Sequence, residues 1–167
     1  KDQFRCLSLT SLTDGCQENR FLGGFSPSVQ PGPLSHASSD PASSIKKAAD
    51  TISGFLDIFA KGVPDQWQLG DAKGGFLCTN TGLRALLRLL KEIINFIEIR
   101  RHVRAVDMDA EDIVERVAPY AAPLVEYFKN AAADQIQAFR SRHALGGVAH
   151  NCLSMMWIIH ESIPEFI

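Results

Sequence analysis

Between residues 74 and 104 the apolar positions fall into one long regular pattern that dominates the chain. Leu83, Leu86, Leu87, Leu90, Ile93, Ile94 and Ile97 recur at steps of three and four, the spacing of one face of an α-helix. Ala85, Leu89, Phe96, Ile99 and Val103 form a second apolar face beside it. So wide an arc exceeds what one neighbour covers, so the pattern predicts partners on at least two sides and a central place in the fold. What remains is a narrow polar stripe: Arg84, Arg88, Lys91, Asn95, Glu98 and His102. Just upstream, residues 75–78 read as a short buried strand, followed by a polar turn. Thr79 or Asn80 can cap the helix by accepting a backbone N–H. Gly82 inside the first turn costs about 1 kcal/mol against alanine, which points to close approach of another backbone.

The flanking pattern is also mostly helical. Residues 4–12 fit either a strand or the tail of a preceding helix, and Thr13 or Asp14 can open a short helical turn reaching Phe21. Residues 23–39 are rich in Gly, Pro and Ser, but Phe21, Leu22, Phe25 and Leu34 imply that this segment wraps the core. Asp40-Pro41 combines a capping residue with proline at the first helical position. The helix it opens turns Ile45, Ala48, Ala49, Ile52, Phe55, Leu56 and Phe59 inward and Lys46, Lys47, Asp50, Asp57 and Lys61 to water, and Gly62 and Pro64 stop it. Trp67 reads as a core plug. Beyond the central helix, Asp107 or Asp109 caps a shorter one, which Pro119 is expected to bend or end. Pro123 then restarts a helix over residues 124–141, with Leu124, Phe128, Ala132, Ile136 and Phe139 inward. Gly146-Gly147 makes a corner, and residues 148–162 form the last helix, carrying Cys152, Met155, Met156, Trp157 and Ile159, before Pro164.

There is no internal repeat and no alternation of strand and helix. The expected fold is mainly α: a single-domain bundle of four to five helices with one or two short strands, more than half of its residues helical. Residues 1–39 form an irregular N-terminal segment packed on a helical domain at 40–167. Leu86, Leu90, Ile93 and Ile97 should be almost fully buried.

Composition narrows this only slightly. At 167 residues, 46% hydrophobic and 22% charged, the chain can bury a core of ordinary size. A net charge of −2 argues against a protein wholly devoted to nucleic acid, but leaves room for a local basic patch. No apolar run is long enough for a transmembrane helix and no signal peptide is visible, so no membrane partner is expected. A start at Lys1 rather than Met points to a fragment whose remaining chain is one of its partners. The four cysteines, Cys6, Cys16, Cys78 and Cys152, form no C-x-x-C pair. Cys78 and Cys152 sit in apolar runs and read as buried free thiols, which suits a cytoplasmic setting.

Candidate chemistry is sparse. His143, His150, Cys152 and His160 invite a metal, but His150 and His160 stand nearly three helical turns apart, too far to share one ion. Cys152 lacks the surroundings of a catalytic thiol. Asp107, Asp109, Glu111 and Asp112 read as a cap and a solvated face. No catalytic residue, metal or cofactor is therefore expected.

The basic residues say more. Cations are favoured at a helix C-terminus, yet Arg84 and Arg88 occupy the first turns of the central helix. Their spacing aims them at one patch, which Lys91 extends. An anion, or carboxylates from residues 107–112, should offset the repulsion. A second cluster, Arg140, Arg142 and His143, precedes the free N-terminus of the last helix, where guanidinium and backbone N–H groups could hold a phosphate. Together with Asn80 and Thr81, these residues are the candidate phosphate contacts.

Residues 74–93 also resemble a segment of bacterial proteins of the DGQHR-domain family, relatives of the DNA-phosphorothioation regulator DndB. The similarity rests on Gly75, Phe76, Thr79, Asn80, Gly82, Leu83, Arg84, Ala85 and Leu86. The Asp-Gly-Gln-His-Arg motif itself is missing, and Asp14-Gly15-Cys16-Gln17 does not supply it. The resemblance implies a helical C-terminal module of a protein tied to DNA modification or defence, with any activity of the motif region outside these residues. On that basis DNA or RNA is an expected partner. The alternative is a structural or oligomerisation domain, a homo-oligomer built on surplus apolar surface.

Overall fold

The computed structural model describes residues 9–23, 30–142 and 146–167. Helices make up 73% of them, and the longest is the one that the central apolar pattern requires. In chain order the α-helices are α1 (Leu9–Glu18), α2 (Pro41–Gly62), α3 (Pro64–Gln68), α4 (Asn80–Arg101), α5 (Ala110–Asn130), α6 (Ala133–Arg140) and α7 (Gly147–Ser162). Short 3-10 turns follow α4 (Ala105–Asp107) and α7 (Pro164–Phe166).

On α4, Leu86, Leu90 and Ile93 are fully buried and Ile97 nearly so. The second face is buried at Ala85 and Leu89 but runs out at its end, where Ile99 is 72% exposed. The wide arc is covered by α7 and α1, with α5 alongside. α2 packs chiefly on α5 rather than on α4, so the core is two paired layers, α2–α5 and α4–α7, not a shell around one helix.

Thr79 is the N-cap of α4, its hydroxyl accepting from the Gly82 N–H at 3.0 Å. A Cβ on Gly82 would lie 2.1 Å from the Phe76 carbonyl oxygen, so the close approach expected from the sequence is real. The strand expected over residues 75–78 does not form. Side chains have claimed its backbone: Gln66 Oε1 accepts from the Phe76 N–H at 2.7 Å, Gln66 Nε2 donates to the Gly74 carbonyl at 2.7 Å, and Arg140 donates to the Gly75 carbonyl. The segment closes as a turn, Thr79 N–H to Phe76 O, and buries Phe76 against Phe128 and Phe139. Among the described residues the only β pairing is a single antiparallel bridge, Gly23 to Pro31.

The N-terminal segment is less irregular than expected, since α1 starts at Leu9, before the expected opening at Thr13 or Asp14. Phe21 and Leu34 pin the wrapping stretch, at 1% and 0% exposure; Phe25 lies outside the described residues. Asp40 caps α2 by accepting the Ser43 N–H at 2.8 Å.

Two expectations on α2 fail together. Ile45, assigned to the core, is 56% exposed, whereas Lys47, assigned to water, is only 6% exposed. Lys47 falls between Ser44 and Thr51 on the inward stripe. Its Nζ donates to the carbonyls of Ser35, Ala105 and Val106 at 3.0, 2.7 and 3.1 Å. One ammonium thus ties the wrapping segment and the turn after α4 to α2. Burial pulls its pKa below the ordinary lysine value, and Asp107, Asp109 and Glu98 pull it partly back.

The prolines of α5 neither end nor restart it. The helix runs unbroken from its cap at Asp109, through Pro119 and Pro123, to Asn130. Pro119 is exposed, so the Glu115 carbonyl that loses its donor faces water, the side on which a helix can bend at low cost. The break comes at Ala131 and Ala132, both in extended conformation. There the Asn130 amide folds back onto the Glu126 carbonyl, and Gln135 accepts the Ala132 N–H to start α6.

Candidate functional site

The polar stripe of α4 becomes one wall of a groove against the end of α1. The two helices lie so close that a Cβ on Gly15 would be 2.6 Å from Leu87 Cδ1. α1 then ends through Arg20, held in the left-handed region at φ 50°, with the Phe21 N–H returning to the Cys16 carbonyl. That geometry sets Glu18, Asn19 and Arg20 across from Arg84, Arg88 and Lys91, and the groove between them encloses about 290 Å³. Glu92 and Asn95 line it too.

The cations in the groove are not equivalent. Arg84 is ion-paired with Glu18, and its Nε is buried without a hydrogen-bond partner. Lys91 donates to the Asn19 carbonyl at 3.1 Å. Arg88 and Arg20 are exposed, and among the described residues neither side chain has a hydrogen bond or an ion pair. The carboxylate that offsets Arg84 therefore comes from α1, not from residues 107–112. That acidic segment follows the far end of α4 and packs back beside Ile94 and Ile97, away from Arg84. Neither Arg20 nor Glu18 was recognisable as part of this site, because nothing in their spacing shows that α1 folds onto α4.

The second basic cluster does not join the groove. Arg140 Nη1 donates to the Ala72 carbonyl at 2.8 Å and to Gly75, and Nη2 donates to the Asp71 carbonyl at 3.2 Å. Its guanidinium is thus the clasp of the turn before α4. It lines a small hollow of about 130 Å³ with Asp71, Asn80 and Thr81 at the start of α4. Arg142 Nη1 donates to Ser154 Oγ at 2.7 Å and Asn151 Oδ1 at 3.2 Å, and its guanidinium lies over the Phe139 ring. Asn151, fully buried, passes the contact on to the Phe139 carbonyl. Arg140 and Arg142 thus hold α6 to the turn and to α7. His143 lies outside the described residues.

Nothing in the described residues assembles a reactive centre. No group of three or more His, Cys, Asp or Glu residues there could hold a metal ion. Cys78 and Cys152 are buried, and no disulfide joins them. Burial pushes the Cys152 thiol up to about 12, with Glu92 raising it and Arg88 lowering it. Among the described residues, no helix is long and apolar enough to cross a membrane.

No protein-family model, curated protein or solved structure matches this chain. The functional reading therefore stands on the groove and on the segment at residues 74–93.

Proposed function

We propose that the chain is a helical module of a longer DGQHR-domain-like bacterial protein associated with DNA modification or defence, and that it contacts nucleic-acid phosphates along the α1–α4 groove. The observation that carries the contact is the pairing of Arg20 and Arg88. They come from different elements, border one hollow, and among the described residues their guanidinium groups have no partner. Positive charge held in a concave site and left unneutralised is what a phosphate backbone recognises. Arg140 and Arg142 contribute by holding the fold. The test is an electrophoretic mobility shift at low salt, using sheared genomic DNA and total RNA. The wild-type chain should retard one of them, and Arg88→Glu, which reverses the free charge without touching the core, should abolish the shift. Binding unchanged in that variant defeats the reading.

A second reading, an oligomerisation domain without ligand chemistry, is favoured by one feature. Between α1 and α2 an apolar groove of about 620 Å³ is lined by Leu12, Phe21, Leu22, Ile45, Ile52 and Leu56. A second copy of the chain would cover it. Sedimentation should then show a dimer that Ile45→Glu returns to monomer, whereas a monomeric wild type at high concentration removes this reading.

A further inference from the structure

The groove beside α1 does not end at Lys91. Lys91 and Asn95 also line an adjoining hollow of about 420 Å³, whose other walls include Pro31, Gly32 and Pro33 of the wrapping segment, Glu98 and Ile99 of α4, and Val103 and Arg104 just after it. The two hollows share those residues, so the polar stripe of α4 forms the floor of one continuous trench. From Arg84 to Ile99 it follows the helix for about 22 Å.

Building on the phosphate contact proposed above, we infer that the ligand of this trench is a single strand of nucleic acid rather than a duplex. Two features select it. A duplex presents two backbones on a cylinder too broad to enter hollows of about 290 and 420 Å³, whereas one extended backbone fits between α4 and the opposite wall. The unpaired cations Arg20 and Arg88 sit at one end with Lys91 between the hollows, so charge follows a line rather than a broad face. Among the described residues no aromatic side chain lines either hollow, so they offer no platform for stacked bases. The trench holds the backbone, leaves the bases outward, and does not discriminate sequence.

Glu92 and Glu98 limit the affinity: Glu92 borders the first hollow beside Arg88, Glu98 borders the second, and both repel phosphate. Arg84 contributes little, since Glu18 neutralises it, and so does Arg104, which faces Asp107 at 4.0 Å. Effective phosphate contacts are therefore Arg20, Arg88 and Lys91, and the plot of log affinity against log salt should have a slope of about −2 for a single strand, each contact adding about 0.7.

Fluorescence anisotropy of the whole chain tests this with labelled oligothymidylate, a mixed-sequence strand, and a duplex of equal length, each over a salt series. Both strands should bind alike and more tightly than the duplex. Arg20→Ala with Arg88→Ala should flatten the slope by about 1.4, and Glu92→Gln should tighten binding, with thermal unfolding unchanged in both variants. Duplex binding as tight as strand binding overturns the single-strand inference and leaves the nucleic-acid reading intact. Absence of binding by either at low salt overturns both. Displacement of oligothymidylate by polyglutamate at equal charge shows a site that reads charge alone, and also overturns the inference.

Discussion

Replacing Lys47 with methionine is the sharpest test of how this fold is held. The substitution keeps a long unbranched stem and removes only the ammonium. In the native chain that ammonium satisfies the carbonyls of Ser35, Ala105 and Val106. Hydrogen bonds to a charged group contribute roughly 1.5–3 kcal/mol each. Against their sum stands the desolvation of the ammonium, several kcal/mol. The variant escapes that penalty but leaves the Ser35 and Val106 carbonyls in a buried corner with no donor, at roughly 1–3 kcal/mol apiece, while the Ala105 carbonyl keeps the Met108 N–H. The balance is a loss of about 3 kcal/mol, which for a domain of this size lowers Tm by about 6–12 °C. Urea unfolding should show a lower midpoint with an unchanged slope, because the surface exposed on unfolding is the same. A variant within about 1 kcal/mol of wild type would mean that Lys47 does not hold these segments together.

The same residue gives the fold a pH dependence of known sign. Burial depresses the folded pKa of Lys47 below the ordinary lysine value of 10.5, so the unfolded chain binds this proton more tightly. Its contribution to stability is therefore greatest above 10.5 and declines as pH falls through the folded value. Measured as a difference, wild type should gain on Lys47→Met as pH rises towards 10.5. A difference that is flat or falls over that range contradicts the assignment.

Two further predictions test the centre of the fold. Gly82→Ala places a methyl group 2.1 Å from the Phe76 carbonyl and 2.9 Å from that of Leu77, so the variant should lose about 3 kcal/mol; a thermal melt matching wild type refutes the close approach. Cys152, with its thiol near 12, should resist alkylation in the native chain at neutral pH and react only after unfolding. Mass spectrometry of the unreduced protein should find no bridge between Cys78 and Cys152.

The parts of this fold that were legible in the sequence are those fixed by local chemistry. Periodicity located α4 and its buried residues, and Asp40-Pro41 and Thr79 announced two helix starts through caps that need only neighbouring atoms. What was missed depends on distant atoms. The Gly-Phe-Leu-Cys stretch has the apolar character of a strand, but Gln66 and Arg140 take its hydrogen bonds. Pro119 has the local signature of a helix end, yet α5 is held straight through by packing on α2 and α7. Lys47 is the exception: its spacing from Ser44, Thr51 and Phe55 already placed it on the inward stripe. A lysine's usual preference for water points the other way, and the three carbonyls that reverse it lie in distant segments.

The same distinction governs the candidate site. Arg84, Arg88, Arg140 and Arg142 are chemically alike, and their positions along the sequence do not separate them. Their partners do. Arg140 and Arg142 are tied into the structure by fixed acceptors, and Arg84 faces a carboxylate from another helix, so a ligand phosphate would have to displace contacts the fold already uses. Arg88 has nothing to give up, because no acceptor in the described residues competes for its guanidinium. Arg20, which no periodic pattern marks, stands at the same hollow under the same condition. A phosphate approaching this pair loses only their hydration, while one approaching Arg140 must also unfasten the turn that starts α4. For that reason the binding energy should concentrate on the two arginines the fold leaves idle, and mutating the better-connected ones should first be felt as lost stability.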